Sequence, residues 1–433
     1  MLTGTLAAAN DQLPRRALMG VRLTESDQGP KVAQIFANTT AETSGLIKDD
    51  IITHLNDAEI RTVPEFLATI RPLKPGTTIT CRVVRDNKPR TIEFTLKEWP
   101  REKADDIVFR YDHVESGNKK LRTVISHPRN FGTKGLPAVL YVQGIDCASI
   151  EATFPFAFPN RTRDFLYALT RAGLVVMRCE KSGVGDSTGP DCNELSLEEE
   201  VEDFAAAVKK LKTDPLVDPK QIYLFGHSAG GWVAPLVAQN VSVRGIMVYG
   251  TVVRPFAEYM VENHRRNRRL RNDLSPSQIE QQTVHLRQFL HHLLDKRKSP
   301  TDILKQHPEL RTISKRVFPK DLNRPYNVRN IDYFRDVNDL NMAEVWTTLR
   351  IPTLALCGEY EARTSPFEHQ YIAEIVNREN PGYGEWKIIP KLDHGFATHE
   401  SQSAAAKNEF KGPFGEQVVT EAVQWLRKQI KRN

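Results

Sequence analysis

Ser228 lies in Gly226-His227-Ser228-Ala229-Gly230, between the apolar run Ile222-Tyr-Leu-Phe225 and a stretch rich in Ala and Val. A Gly-x-Ser-x-Gly turn between a buried strand and a helix lifts a hydroxyl onto a sharp apex, where only glycine tolerates the crowding at 226 and 230. A serine hydroxyl is a weak nucleophile and needs a neighbouring base, itself oriented by a third group. His394, in Lys391-Leu-Asp-His394-Gly-Phe, is the candidate base. Glu361, three residues after Gly358, is the candidate acid, with Glu359 and Asp393 as runners-up. Asp393 adjoins His394, so its side chain should point elsewhere. Together the three groups suit acyl transfer through a covalent intermediate.

Positioning such groups requires a sheet whose strand ends converge. From residue 107 onward, strands alternate with helices, the pattern of a parallel sheet covered on both faces. An opening hairpin surrounds Ser116-Gly117-Asn118; Leu136–Val142, Leu174–Arg178 and the run entering the Ser228 turn read as buried strands. Gly245–Tyr249, Pro352–Cys357 and Glu385–Pro390 continue the series, and Glu416–Ile430 closes it as an amphipathic helix. His394 follows the last of these strands and Glu361 the one before it. A polar, helical stretch at about 253–347 interrupts the alternation and reads as a cap inserted into a domain spanning 107–433.

The residues before it follow another rhythm. Short strands at 17–23, 31–36 and 50–55, helices at 41–46 and 63–70, and a hairpin around Asp86-Asn87-Lys88 make a β-rich unit at 17–98. Trp99-Pro-Arg-Glu-Lys-Ala-Asp-Asp106 is charged, contains proline and reads as a linker.

Two resemblances follow from these residues. The order and spacing of 17–98 resemble a PDZ domain of the bacterial HtrA-protease type, with Leu18-Met19-Gly20-Val21 as its carboxylate-binding loop. Asp49 and Asp57 stand where that family commonly has glycine, and aspartate tolerates a left-handed backbone better than most residues. The likeness implies a groove at Met19, Gly20 and Val21 that adds a peptide strand to the sheet edge; a fixed structural module is the other reading. Residues 107–430 resemble an α/β-hydrolase, in which the order nucleophile, acid, base matches Ser228, Glu361, His394. Glu361 departs from the usual Asp. The resemblance implies an oxyanion hole from the backbone N–H groups of Ala229 and Ile145, with Gln143 in place of a common His. Glu180-Lys-Ser-Gly-Val-Gly-Asp-Ser187 matches a loop that family members carry beside the active site. It is no dinucleotide loop, because Thr188 holds the third-glycine position.

The remaining features narrow the reading. The 433 residues suit two domains, and the net charge of +6 is spread over both signs, so no nucleic-acid partner is expected. No apolar run spans a membrane. The five cysteines lack Cys-x-x-Cys spacing, so no metal or other cofactor is expected, although Cys147 and Cys192 fall in loops able to meet and pair in an exported protein. Residues 1–16 read as a disordered start or a signal remnant. Ala7-x-Ala9 resembles a signal cleavage site, which favours an exported, periplasmic location over the cytoplasm, while a basic leader and full apolar core are missing. His264-Arg-Arg-Asn-Arg-Arg-Leu-Arg271 is either a solvated helix face or an anion site on the cap. His285, Phe289, His291, His292 and Leu293 either line a pocket or pack the cap.

The reading is thus an α/β-hydrolase sheet with a helical cap behind a PDZ-like domain. It is expected to hydrolyse small-molecule esters or thioesters through Ser228, His394 and Glu361. A serine peptidase acting on short peptides or aminoacyl amides is the alternative, and a non-catalytic peptide-binding scaffold the alternative of another class.

Overall fold

The computed structural model describes residues 13–130, 135–151 and 161–431. The cleavage-site reading at Ala7 and Ala9 lies outside them. Two compact units divide the described chain: one holds residues 13–102 and Glu151, the other 103–130, 135–150 and 161–431.

In the smaller unit, strands Val21–Thr24, Lys31–Ile35, Ile51–Leu55, Thr78–Arg85 and Lys88–Thr95 pair in that order, and Val21–Thr24 forms one edge. The last two strands meet at Asp86 and Asn87, with φ of 49° and 60°. Two consecutive positive φ values are what a tight two-residue hairpin needs. The helix Val63–Ile70 opens on a capping box, in which Thr62 accepts from the Glu65 N–H and Glu65 accepts from the Thr62 N–H. Its Phe66 and Ile70 join Val32, Ile52, Ile79 and Cys81 in the core. Asp49 is left-handed (φ 73°), as expected of a residue standing in for glycine. The second such position is Asn56 (φ 52°) rather than Asp57.

The larger unit is built on eight strands: β1 Ile107–Ser116, β2 Lys119–Pro128, β3 Leu136–Val142, β4 Val175–Cys179, β5 Val217–His227, β6 Gly245–Tyr249, β7 Thr353–Gly358 and β8 Gly384–Ile389. Their spatial order is β1-β2-β4-β3-β5-β6-β7-β8. β2 is antiparallel to β1 and β4, and every pairing from β4 to β8 is parallel. Successive residues serve opposite faces: Ala138, Leu140, Ile222 and Leu224 pack on one, Val139, Tyr141, Tyr223 and Phe225 on the other. Burial on both sides explains why these strands read as continuous apolar runs.

Helices α1 Arg161–Arg171, α2 Leu197–Lys212, α3 Gly230–Asn240, α4 Phe256–Arg271, α5 Pro276–Leu290, α6 Pro366–Glu379 and α7 Gln417–Ile430 follow the chain in that order. α1 and α7 cover one face through Phe165, Leu169, Trp425 and Leu426; α2, α3 and α6 cover the other through Phe204, Val208, Val233, Val237 and Ile372. Each aromatic side chain so buried contributes about 2–3 kcal/mol of transfer free energy. α2 starts at a Ser196–Glu199 capping box, with acids in its first turn and lysines in its last, each matching the helix dipole.

Between β6 and β7 the chain leaves the sheet for α4, α5 and the shorter helices Pro300–Gln306, Arg311–Val317, Ile331–Asp339 and Met342–Thr348. Phe289 and Leu293 are buried in the core, Phe289 against Phe318, so they pack the cap, whereas His291 of the same stretch lines a cavity with Arg254 and Arg287. Among the described residues, no helix is long and apolar enough to cross a membrane.

Candidate active site

β5 ends at His227, and Ser228 follows in a left-handed conformation, φ 57°. That costs a non-glycine residue about 1–3 kcal/mol. The surroundings hold it: the Ser228 N–H donates to Tyr249 O, and Ser228 O accepts from the Gly231 N–H, both at 2.9 Å. The flanking glycines are required sterically. A Cβ on Gly226 would lie 2.4 Å from Gly230 O, and one on Gly230 would lie 2.0 Å from Val142 O.

His394 stands on the loop after β8, buried at 2% exposure. Its Nδ1 lies 2.7 Å from Oε2 of Glu361, on the loop after β7 and also buried. The carboxylate accepts there, so Nδ1 carries a proton and Nε2 is the ring nitrogen not engaged by Glu361. The other Glu361 oxygen accepts from the Arg363 N–H at 2.7 Å. Burial alone would raise the Glu361 pKa. The charge and hydrogen bond of His394, with help from the Arg363 amide and Arg266, outweigh it and hold the carboxyl down at about 2. Glu361 is therefore ionised at neutral pH.

The runners-up for the acid are occupied elsewhere. Asp393 accepts from the N–H groups of Gly395, Ala397 and Phe410 and from His399, all at 2.8 Å, so it shapes the loop that carries His394. Glu359 accepts from the Lys391 N–H. Residues not foreseen complete the frame. His227 Nε2 donates to His394 O at 2.8 Å, and Tyr249 Oη donates to Asp393 O at 2.6 Å. Burial, with the nearby His394, pulls His227 down to about 3, which keeps it neutral. Gly250 is left-handed, and a Cβ there would fall 2.7 Å from His394 Nδ1.

Ser228 and His394 line a common cavity of about 230 Å³. No hydrogen bond joins them among the described residues; His394 bonds instead through Nδ1 and its carbonyl. Such contacts in free enzymes commonly tighten only with substrate. Ser228, Ala229 and Ile145 also line an adjoining cavity of about 380 Å³. Neither the Ala229 nor the Ile145 N–H donates a backbone hydrogen bond among the described residues, and Gly144 lies against the elbow, its Cβ position 3.4 Å from Ser228 Cβ.

The larger cavity has two characters. Trp232, Val252, Phe256, Tyr259, Met260, Tyr326 and Phe334 give an apolar wall; Asn263, Asn267, Arg271, Arg363 and Glu409 give a polar one. The basic run of α4 thus divides. Arg265 pairs with Glu280 and Arg268 with Asp273, Arg266 donates to the Glu361 and Thr364 carbonyls, and Arg271 faces the cavity. Cys147 and Cys192 form a disulfide, while Cys81, Cys179 and Cys357 are free and buried. No group of three or more His, Cys, Asp or Glu is placed to hold a metal among the described residues. In the smaller unit, Gly20 is left-handed (φ 83°) and pressed against Thr39, Met19 is buried, and Val21 starts the edge strand.

Two known families match parts of this chain. Residues 17–96 match the PDZ domain family, and residues 159–311 match the family described as "Serine aminopeptidase, S33". Esterase EstD of Thermotoga maritima is 24% identical over 303 residues, 69% of this chain and 63% of the esterase. Thiohydrolase apmlB of Arthrinium phaeospermum is 33% identical over 84 residues, 19% of this chain and 27% of that protein. The chain therefore spans less than two thirds of the length of these curated relatives. Among solved structures, Est1E from Butyrivibrio proteoclasticus with ferulic acid bound aligns at a TM-score of 0.46 and 16% identity, over 74% of this chain and 99% of that one. Proline iminopeptidase of Mycobacterium smegmatis aligns at 0.44 and 15%, over 74% and 98%. With its strand order, its serine elbow and these two family matches, the chain joins a PDZ domain to a capped α/β-hydrolase domain.

Proposed function

We propose that this protein is a serine hydrolase cleaving carboxylic esters or thioesters by acyl transfer to water. The observation that carries the reading is the buried Glu361–His394 pair, 2.7 Å apart, whose His394 lines the same cavity as a serine held at positive φ. His394 Nε2 takes the Ser228 proton as Oγ attacks the carbonyl carbon. The Ala229 and Ile145 N–H groups receive the negative oxygen of the tetrahedral intermediate. His394 then protonates the departing alcohol or thiol, leaving an acyl-serine. Water, deprotonated by the same nitrogen, attacks that acyl group, and its release as a carboxylic acid returns the proton to Ser228.

The apolar wall suits an acyl or aryl group, and the polar wall suits a hydrophilic or anionic arm. The alternative of an aminopeptidase is less well served. Recognition of a substrate ammonium calls for a free carboxylate, and Glu409, the carboxylate lining the larger cavity, is engaged by Arg363 through two 2.9 Å hydrogen bonds. The PDZ unit supports a separate role. Its edge strand Val21–Thr24 and the turn at Met19-Gly20 suit addition of a peptide C-terminus.

Wild type and Ser228→Ala should be compared on matched esters, thioesters and aminoacyl amides, with a fluorophosphonate probe for the serine. Ester or thioester turnover and labelling, both lost in Ser228→Ala, are expected. Turnover of amides alone would establish the peptidase reading. An unlabelled wild type that binds C-terminal peptides would leave a scaffold.

A further inference from the structure

The peptide unit between Gly144 and Ile145 supplies one of the two oxyanion donors, and its carbonyl is gripped from behind. Lys181 Nζ lies 2.5 Å from Gly144 O and 3.2 Å from Asp146 O. Arg329 Nε donates to the intervening Ile145 O at 3.1 Å. Glu200 ties the two cations together, 2.7 Å from Lys181 Nζ and 2.8 Å from Arg329 Nη2. Arg329 also donates to the carbonyl of Cys192, which is disulfide-bonded to Cys147, the residue after Asp146. Three successive carbonyls are thereby held by two buried cations.

A trans peptide is planar, so its C=O and N–H point in opposite directions. A cation holding Gly144 O therefore turns the Ile145 N–H the other way, and Ser228 packs against Gly144 at that loop. Lys181, Glu200 and Arg329 are all at most 3% exposed. Burying such a network is costly, and apolar residues of similar volume commonly serve stability as well or better. A role in orienting this loop accounts for charges that stability does not require. The network also leaves one net positive charge behind the peptide, which favours negative charge at its N–H end.

We propose that Lys181, braced by Glu200 and Arg329, is a positioning residue of the oxyanion hole, aiming the Ile145 N–H at the oxygen that becomes negative when Ser228 attacks. This rests on the serine-hydrolase reading. Lys181→Met removes the ammonium and keeps most of the volume. For a butyrate ester, kcat should fall by about 10- to 100-fold, because losing one oxyanion donor outright costs about 10²–10³. KM should stay within about threefold, and affinity for a boronic acid, whose serine adduct is tetrahedral, should weaken in step with kcat. Glu200→Gln should give a smaller loss with the same signature. Folding of each variant is checked by circular dichroism. If Lys181→Met does not fold, Glu200→Gln decides. A folded variant with kcat within about twofold of wild type, a loss confined to KM, or unchanged boronate affinity overturns the proposal. Failure of the underlying reading would look different: wild type would not react with fluorophosphonate, or Ser228→Ala would keep its turnover.

Discussion

Replacing Glu361 with Gln keeps the side chain's size and one acceptor oxygen but removes its charge. The structure sets the scale of the loss. Folding lowers the carboxyl pKa from 4.5 to about 2 despite burial. At about 1.4 kcal/mol per pH unit, that is roughly 3 kcal/mol of preference for the ionised form. His394 is the strongest of the groups supplying it. The attraction is mutual, so charge forming on the imidazole as it takes the Ser228 proton is stabilised by a comparable amount. Its loss should lower kcat on the order of 10²-fold. KM should change little, because Glu361 is buried and lines neither cavity. Steady-state hydrolysis of p-nitrophenyl butyrate measures both constants. Glu359→Gln is the control and should stay near wild type, since the Glu359 carboxylate accepts from the Lys391 N–H rather than from His394. A Glu361→Gln enzyme within threefold of wild type in kcat would refute the argument, as would an equal loss in the control.

Three further outcomes are expected. The lowered Glu361 pKa adds stability that is complete above about pH 5 and disappears as pH falls from 4.5 through about 2; denaturant unfolding of wild type and Glu361→Gln should therefore differ by up to about 3 kcal/mol at pH 6 and converge near pH 2, and a gap independent of pH would count against it. Reducing the Cys147–Cys192 bond, which closes a loop of 45 residues, should lower the unfolding free energy of the hydrolase domain by up to about 4 kcal/mol; overlapping urea curves with and without dithiothreitol would contradict this. Arg271→Gln should lower kcat/KM about fivefold for an ester bearing a distal carboxylate, in line with the ~1 kcal/mol of an exposed ion pair, and should spare its neutral isostere; equal effects on both substrates would remove Arg271 from the specificity wall.

What the sequence made legible divides along a physical line. The elbow was readable because its constraint is local: Gly226 and Gly230 answer steric demands that arise within a few residues of Ser228. Strands β3 to β7 were readable because burial on both faces writes long apolar runs. Glu361 and His394 were reachable because both follow strands, and parallel strands deliver the loops after them to one rim of the sheet. Helix phase was not readable to the same degree. Nothing in the composition of 264–271 separates Arg266, which donates to the acid loop, from Arg265, which pairs with Glu280, or from Arg271, which faces the cavity. Those fates depend on which way α4 is rotated against the sheet.

The network behind the oxyanion loop marks the far limit of such reading. Lys181, Glu200 and Arg329 come from the loop after β4, the first turn of α2 and the cap, and none has a partner nearby in sequence that announces its role. Only the assembled domain shows that Lys181 and Arg329, bridged by Glu200, hold the carbonyls of Gly144, Ile145 and Asp146. The elbow controls where Ser228 stands through its own backbone, whereas the oxyanion donor proposed at Ile145 would depend on charges carried by three other segments. Substitutions that disturb the cap near Arg329 should therefore reach the chemistry through the loop, lowering kcat without touching the cavity wall.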